Sequence, residues 1–231
     1  MPINPQVFKT RSLTAVVFVL VMLSGLLINA WLFLILFGFI LGGCLVEFTS
    51  ILRLIAGSRF ILFLPLALVY LVMPVMMMFD LGLSVSPDGS HFVLNPLFPC
   101  AVIFSVWIND TMAYIVGSMI GRTPFSKISP KKTWEGTVGG ALLCVLVISL
   151  LGMLPVAREI QVYHWSALAG IIAVSGTAGD LLESKLKRMA GIKDSGSIMP
   201  GHGGFLDRFD SMLIAAPCAW MYIRWVIELA H

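Results

Sequence analysis

The residues best suited to chemistry lie between Gly179 and Ser211, where ten charged side chains occur in a chain that is 58% hydrophobic. The first half of this stretch predicts a helix whose polar groups share one face, because they recur at spacings of three and four residues. A merely solvated helix would scatter its charges. The residues on this face are Asp180, Glu183, Ser184, Lys187 and Arg188.

The middle of the stretch, from Ala190 to Gly204, is too rich in glycine, proline and serine to stay helical. Its run Pro200-Gly201-His202-Gly203-Gly204 predicts a loop with exposed backbone N–H groups, and such loops approach phosphate closely. Beyond it, Asp207, Asp210 and Ser211 share one side of a second predicted helix. Two acidic helix faces therefore flank a glycine-rich loop, a composition suited to holding a divalent cation and a polyphosphate together.

The elements that must position these groups belong in a bilayer. Only 12% of the residues are charged, the mean hydropathy is +0.96, and apolar runs approach the length of about 20 residues that a membrane span requires. We expect an all-α polytopic transmembrane helix bundle forming a single integral membrane domain, 1–231, with N-terminal spans in 1–95 and catalytic spans and cytoplasmic loops in 96–231. The seven predicted spans are 12–28, 31–49, 60–79, 96–120, 137–154, 165–180 and 212–229.

Composition also excludes several classes of site. The net charge of +3 gives no indication of nucleic-acid binding, and the four cysteines stand singly in apolar segments, which favours neither disulfides nor zinc. Glu47 falls near the end of the second predicted span, so we interpret it as interfacial rather than catalytic. Pro65 and Pro74 predict kinks in the third span, and the segment from Asp80 to Asn95 is predicted to be a polar loop.

Asp110 is the second unusual feature, because it lies deep inside the fourth predicted span. Tyr114, Gly117 and Ser118 continue its helical face. An ionisable group at such depth costs several kcal/mol, about 3 on insertion scales, unless it is paired or faces a wet cavity. Asp110 is therefore a candidate functional residue, with structural pairing to a basic loop residue as the alternative.

The basic residues predict the orientation. A cytoplasmic N-terminus and seven spans place 13 of the 15 lysines and arginines on the cytoplasmic side, leaving only Arg158 and Arg224 elsewhere. Two basic loops then face the cytosol together. One contains Lys131 and Lys132, and the other begins near Lys187. For Lys131 and Lys132, this topology rule alone is an alternative to a role in binding. The fifth span begins with a patch of small residues suited to close helix packing. They are Gly136, Gly139 and Gly140.

Four blocks of sequence carry a family resemblance. They are Asn109-Asp110-Thr111-x-Ala113-Tyr114-x-x-Gly117; Ser129-Pro130-Lys131-Lys132-Thr133-Trp134-Glu135-Gly136; Gly179-Asp180-Leu181-x-Glu183-Ser184-x-x-Lys187-Arg188; and Lys193-Asp194-Ser195-Gly196 leading to Pro200-Gly201-His202-Gly203-Gly204-x-x-Asp207-Arg208-x-Asp210. This order resembles the phosphatidate cytidylyltransferases of bacterial type, also called CDP-diglyceride synthases. The first hundred residues resemble that family only as generic spans and look shorter than is usual for it.

The resemblance implies transfer of the cytidylyl group of CTP to phosphatidic acid, with Mg²⁺, at the cytoplasmic face of the inner membrane, by a homodimer. A second cation such as K⁺ is compatible with the number of carboxylates. The residues matched to catalysis are Asp180, Asp207, Lys187 and Lys132, and those matched to metal binding are Asp180, Asp207 and Asp210. The candidates for binding the substrates are Ser129, Lys131, Lys132, Ser184, Lys187, Arg188, Lys193, His202, Gly203, Gly204 and Arg208, with Asp110, Glu183 and Asp194 as additional site residues.

Three alternatives stay open at this point. Two are enzymes, a CTP-dependent lipid-alcohol kinase and a cytidylyltransferase acting on another lipid. The third is a cation-coupled transporter, in which Asp110 and Asp180 would mark an ion path across the bundle. Against the transporter, the charged residues concentrate near one membrane face and no pair of matching halves is visible.

Overall fold

The computed structural model describes residues 5–197 and 203–230, with side chains from 13 to 197 and from 203 to 229. The all-α prediction is confirmed, because almost all regular structure in these residues is helical. The helices are α1 Pro5–Leu27, α2 Ala30–Ala56, α3 Pro65–Ala67, α4 Met73–Gly82, α5 Leu97–Ile120, α6 Trp134–Leu151, α7 Val162–Met189 and α8 Leu206–Tyr222. Shorter 3₁₀ or π segments are Gly57–Phe63, Leu68–Val72, Pro155–Ala157, Ile223–Ile227 and Glu228–Ala230.

Five segments are long and apolar enough to cross a membrane, which supports a multi-pass protein. The apolar part of α1, Leu13–Leu27, is shorter than these five, and α8 has only 17 residues. Seven spans and the side of the N-terminus therefore stay predictions. Large apolar side chains such as Phe39 and Leu146 point outward, as lipid-facing residues do. The five segments are Ala30–Phe63, Pro65–Gly82, Leu97–Ile120, Trp134–Leu151 and Val162–Met189.

Helix α2 runs further than predicted. The sequence predicted a span from Trp31 to Thr49 followed by a loop containing Arg53, whereas α2 continues through Arg53 to Ala56 and leads into a 3₁₀ helix. The Arg53 guanidinium lies 4.7 Å from the centre of the Phe60 ring, an interaction that helps a cation stay within this apolar segment. Glu47 consequently lies in the interior of a long apolar segment rather than at its end.

The segment after α2 is irregular where prolines interrupt it. The helix changes type at Pro65, and the π turn Leu68–Val72 comes just before Pro74, which cannot donate a backbone hydrogen bond. The predicted polar loop from Asp80 to Asn95 is partly a hairpin, because β1 Leu83–Val85 pairs antiparallel with β2 Phe92–Leu94. The sequence analysis missed these strands, which are only three residues long.

Glycines let the helices of the second half approach closely. A Cβ atom on Gly136 would lie 2.7 Å from the Ala113 carbonyl oxygen and 2.9 Å from the Gly117 Cα atom, and one on Gly140 would lie 2.6 Å from the Ala113 nitrogen. The predicted small-residue patch is therefore confirmed as a packing surface between α5 and α6. Likewise, a Cβ on Gly179 would lie 2.5 Å from the Asp210 carbonyl oxygen, so α7 and α8 touch beside Asp180.

Candidate active site

The polar face of α7 is confirmed over its central part. The Ser184 hydroxyl donates to Asp180 Oδ1 over 3.3 Å, and Lys187 Nζ lies 2.6 Å from Glu183 Oε2. Glu183 is fully buried, and Lys187 is the cation that compensates its charge. The Arg188 guanidinium turns away and donates to the Ile192 carbonyl oxygen over 3.0 Å, where it stabilises the start of the loop after α7.

Lys132 brings the loop between α5 and α6 to this face, because its ammonium forms an ion pair with Asp180. Two local features hold the loop. The Thr133 hydroxyl caps α6 by accepting from the Gly136 N–H, and Glu135 accepts from the Thr123 N–H and hydroxyl, the latter over 2.8 Å. The Lys132 side chain is thereby presented to α7 from a fixed turn.

Other predicted binding residues of this loop lie close by. The Ser129 carbonyl oxygen accepts from the Lys132 N–H over 3.1 Å, which closes the turn that precedes Thr133. Lys131 is exposed and lines the same cavity as Lys132. Two positively charged side chains, of which Lys131 is the more exposed, thus line the cavity.

Asp207 is held by Lys187 of α7 and by the loop between α7 and α8. Its Oδ2 accepts from the Ser195 N–H over 3.0 Å and from the Gly204 N–H over 2.8 Å, and its Oδ1 accepts from Lys187 Nζ over 2.6 Å. Asp207 lies outside the five candidate spans. Burial raises its pKa, but the hydrogen bonds from Gly204, Lys187 and Ser195 outweigh burial and hold the pKa below its ordinary value of 3.8.

The two described glycines of the predicted phosphate loop have defined places. Gly203 adopts φ +82, a conformation that favours glycine, and a Cβ there would lie 2.5 Å from Asp207 Oδ2. The Gly204 N–H already donates to Asp207, so in this arrangement it serves the protein rather than a bound phosphate. His202 lies outside the described residues. Its predicted role in binding stays a prediction.

Three charged residues predicted to take part in the site are exposed near Asp207. Lys193 and Asp194 lie on the loop just before Ser195, and Arg208 follows Asp207 in the first turn of α8. The exposure of Lys193 and Arg208 makes these two basic side chains accessible to a soluble anion. The roles of all three residues stay predictions.

Asp110 opens onto a polar cavity of about 460 Å³ between α5, α6 and α7. It is accessible from the cavity, and the Asn109 amide donates to its Oδ1 over a long 3.4 Å. Lys132 and Asp180 line the same cavity. Asp110 thus faces a cavity that also contains a lysine and a second carboxylate, and its role stays a prediction. The predicted face formed by Tyr114, Gly117 and Ser118 also lines it.

A larger cavity of about 590 Å³ lies at the opposite ends of α5 and α6. Apolar groups such as Phe104, Ile148 and Trp165 line it, and Glu159 is its one acidic lining residue. It contains neither the acids nor the lysines of the predicted site. The smaller, polar cavity is therefore the candidate for phosphate chemistry.

The donor set fits a divalent cation by its charge. The Asp210 carboxylate lies close enough to those of Asp180, Glu183 and Asp110 to be destabilised by their negative charge. With Asp207, the site has five carboxylates, of which three, those of Asp180, Glu183 and Asp207, directly contact the Lys132 or Lys187 ammonium group. Oxygen ligands of this kind are those that Mg²⁺ prefers. In the present arrangement, however, no three His, Cys, Asp or Glu side chains of the described residues converge on one metal position.

Sequence reasoning interpreted Glu47 of α2 as interfacial and so missed that it contacts the loop before α8. Its side chain is buried, and it accepts from the Ser195 hydroxyl over 2.6 Å and from the Phe205 and Leu206 N–H groups over 2.9 Å each. A signal was present, because an acid inside an apolar span is a functional candidate by default. Placing the end of the span at Thr49 concealed it.

Comparison with known proteins places residues 93–226 in the Cytidylyltransferase family. A phosphatidate cytidylyltransferase of Staphylococcus saprophyticus is 43% identical over 131 residues, which cover 56% of this chain and 48% of that protein. One from Synechocystis sp. is 40% identical over 163 residues, covering 61% and 53%. Phosphatidate cytidylyltransferase 4, chloroplastic, of Arabidopsis thaliana is 44% identical over 141 residues, covering 61% and 36%.

This chain spans about half the length of the curated relatives it matches, or less. The matched region nevertheless contains the polar cavity, both basic loops, and the acidic residues of α7 and α8. Glu47 lies before residue 93, outside that region. Since the family match covers more than half of the 231 residues, the chain belongs to the cytidylyltransferase family.

Proposed function

We propose that this protein transfers the cytidylyl group of CTP to phosphatidic acid, giving CDP-diacylglycerol and pyrophosphate for phospholipid synthesis. Family membership and the names of the relatives support the reaction. The observation that carries it is the meeting of three separate sequence blocks, through the Lys132–Asp180 and Lys187–Asp207 ion pairs, at one end of a membrane helix bundle. Both a soluble nucleotide and a lipid head group can reach such a place.

The reaction needs charge compensation more than proton transfer. An oxygen of the lipid phosphate monoester attacks the α-phosphorus of CTP, a new P–O bond forms, and the bond to the β-phosphate oxygen breaks to release pyrophosphate. A phosphate monoester is already largely dianionic near neutral pH, so no general base is required. The protein must bring two anions together and neutralise the charge that develops on the leaving group.

The acidic residues suit a magnesium ion. Asp180, Asp207 and Asp210 would hold it, since Asp180 and Asp207 contact Lys132 and Lys187, and Asp210 lies in the negative field of Asp180. When bound, Mg²⁺ supplies positive charge to the phosphate oxygens of the nucleotide. Asp110 and Glu183 add to the negative field, and a second cation such as K⁺ is compatible with that field.

The lysines are suited to a role that changes on substrate binding. Without substrate, Lys132 and Lys187 compensate carboxylates. Phosphate oxygens are alternative acceptors for the same ammonium groups, and a cation bound to the carboxylates would free the lysines to bind phosphate. Lys131, Lys193 and Arg208 are accessible to the outer phosphates. Ser129, Ser184, Arg188, His202, Gly203 and Gly204 remain the other candidates for contact with the substrates or for shaping their loop.

The decisive experiment is incorporation of radiolabelled CTP into chloroform-soluble lipid by the purified protein in detergent, with phosphatidic acid and Mg²⁺. Asp207→Asn is the informative variant, because an amide oxygen still accepts from Ser195 and Gly204 while the charge is lost. Asp80→Asn is the control, since Asp80 binds Trp220 and Arg224 elsewhere in the fold. We expect label in the lipid phase from the wild type and the control, and at least 100-fold less from Asp207→Asn.

The outcomes separate the enzymatic alternatives. Label from α-³²P-CTP in the lipid phase identifies cytidylyl transfer, whereas label only from γ-³²P-CTP with a lipid alcohol identifies a kinase and overturns the proposal. A folded wild type that labels no phosphatidic acid also overturns it.

Two further points belong to this proposal: a site facing the cytoplasm of the inner membrane, and a homodimer. The Gly136 and Gly140 face is used inside the chain, so a dimer would form through another surface.

A further inference from the structure

A single carboxylate of the N-terminal half closes the end of α8 that carries Asp207. Glu47 Oε1 accepts from the Phe205 N–H over 2.9 Å, and Oε2 accepts from the Leu206 N–H over 2.9 Å. Helix N-termini leave backbone N–H groups without partners inside the helix, and a carboxylate satisfies both their hydrogen bonding and their partial positive charge. Glu47 therefore fixes where α8 begins.

The same carboxylate also fixes the loop before α8. The Ser195 hydroxyl donates to Glu47 Oε2 over 2.6 Å, while the Asp207 N–H donates to the Ser195 hydroxyl over 3.3 Å. In turn, the Ser195 N–H donates to Asp207 Oδ2 over 3.0 Å. Glu47, Ser195 and Asp207 thus form one closed network, in which Ser195 links the other two.

Neighbouring backbone restricts the Glu47 side chain to one position. Cβ atoms added to Gly196 or Gly204 would overlap its carboxylate oxygens, so both backbones pass directly against it. Its side chain is 4% exposed, which means that an unsatisfied donor or acceptor here would be costly. The arrangement requires two oxygens and three donors to stay matched.

We infer that Glu47 is a positioning residue, which orients the Asp207 carboxylate by holding Ser195 and the first turn of α8. Asp207 Oδ2 then accepts from the Ser195 and Gly204 N–H groups, and Oδ1 accepts from Lys187. This assignment rests on the proposed function only in that Asp207 is taken to bind the cation. It means that α2, outside the matched region 93–226, completes the site.

Glu47→Gln tests the assignment, because glutamine has nearly the same shape but only one accepting oxygen. Its NH₂ group must face either the Phe205 N–H or the Ser195 and Leu206 donors, so at least one donor loses its acceptor. Ser195→Ala removes the link alone. The matched control is Ser50→Ala in the same helix, where the hydroxyl donates only to the Val46 carbonyl oxygen.

Two measurements are needed, and neither depends on turnover. Amide hydrogen exchange reports the Phe205 and Leu206 N–H groups directly, and titration with Mn²⁺ alone, followed by its electron paramagnetic resonance signal, reports the cation site. We expect Glu47→Gln to accelerate exchange at least tenfold at one or both of these amides and to weaken Mn²⁺ binding at least tenfold. Ser195→Ala should weaken Mn²⁺ binding by a similar factor, and the double variant should add little, because one network is broken.

Enzyme assays then separate positioning from general stability. If Glu47 positions Asp207, Glu47→Gln should lower kcat and raise the Mg²⁺ concentration that gives the half-maximal rate, while KM for the lipid is unchanged. The control Asp80→Asn should lose stability but keep the wild-type kcat and Mg²⁺ requirement. Glu47→Asp, which keeps the charge, should restore part of the Mn²⁺ affinity.

Wild-type exchange and wild-type Mn²⁺ binding in folded Glu47→Gln would overturn the inference. If Glu47→Gln does not fold, Ser195→Ala with unchanged Mn²⁺ binding overturns it. A wild type that binds Mn²⁺ but transfers no cytidylyl group counts against the proposed function alone.

Discussion

Lys187 Nζ lies 2.6 Å from Asp207 Oδ1 and thereby joins the last turns of α7 to the first turn of α8. The same ammonium lies 2.6 Å from Glu183 Oε2. One lysine therefore compensates two carboxylates from different helices. Its removal would leave the fully buried Glu183 without a cation, which leads to the first prediction.

Lys187→Met should destabilise the protein by about 3–5 kcal/mol, because it leaves a buried charge uncompensated. Thermal unfolding in detergent measures the change. Combining it with Glu183→Gln should recover most of the stability, since the buried charge is removed as well, while cytidylyl transfer stays abolished. Equal stability of Lys187→Met and the wild type would contradict the view that Glu183 is charged and paired.

Lys132→Ala should lower kcat about 100-fold or more while changing stability by about 0.2–1 kcal/mol. The large effect on rate is expected from loss of a positive charge at the phosphates, and the small effect on stability from the partial exposure of the Lys132–Asp180 pair. Lys127→Ala, on the same loop and exposed, is the control for a general loss of basic charge. Equal loss of rate in both variants would mean that Lys132 contributes only to membrane topology and not to phosphate binding.

Gly140→Val should destabilise the contact between α5 and α6 by about 1–3 kcal/mol, because its side chain would overlap the Ala113 backbone. We also expect loss of activity, since these helices carry the walls of the polar cavity. The control is Gly42→Ala in α2, where an added Cβ meets no atom within 4 Å; it should be neutral or stabilise by about 0.5–1 kcal/mol. A midpoint of unfolding for Gly140→Val equal to that of the wild type would refute the close contact.

Mg²⁺ should raise the unfolding temperature of the wild type even without substrate, because it would relieve the repulsion among the acids around Asp210. At a concentration 100 times the dissociation constant, a ligand of the native state contributes about 2.7 kcal/mol. Asp207→Asn and Asp210→Asn should lose most of this increase, and excess EDTA should reverse it. An equal increase in Asp210→Asn would remove that residue from the cation site.

The Asp207 carboxylate should stabilise the protein at neutral pH and cease to do so in acid. Its pKa in the folded protein lies below 3.8, the ordinary value, so the contribution is complete above about pH 5 and is lost as the pH falls through that lowered pKa. The measurement is the difference in unfolding midpoint between the wild type and Asp207→Asn from about pH 6 down to about pH 3. A difference that grows toward low pH would have the wrong sign for a lowered pKa.

Local periodicity predicted what depends on a single helix. The shared face of Asp180, Glu183 and Lys187 follows from spacings of three and four residues, and the close approach at Gly136 and Gly140 follows from small residues at the same spacing. Hydropathy likewise predicted a membrane helix bundle. These properties need no knowledge of the rest of the fold.

The boundaries were harder to predict, because they depend on how a segment is covered. Helix α2 passes Thr49 and continues to Ala56, and the region after Gly82 forms a short hairpin. Neither outcome follows from hydropathy, since charged residues such as Arg53 ended the predicted span although they fit within the helix by contacting Phe60. Whether a charged residue such as Arg53 ends the helix then depends on an aromatic ring one turn or more away in the sequence.

By itself, the sequence determined the class of the protein, the membrane setting, and which acids and lysines share a helix face. Only the tertiary structure decided the partners of those groups: Glu47 with Ser195 and the start of α8, Lys132 with Asp180, and the Gly204 N–H with Asp207 instead of an open loop. The physical reason is range. Periodicity is a property of neighbouring residues, whereas a buried carboxylate is satisfied by whichever donors the packing of distant helices brings to it.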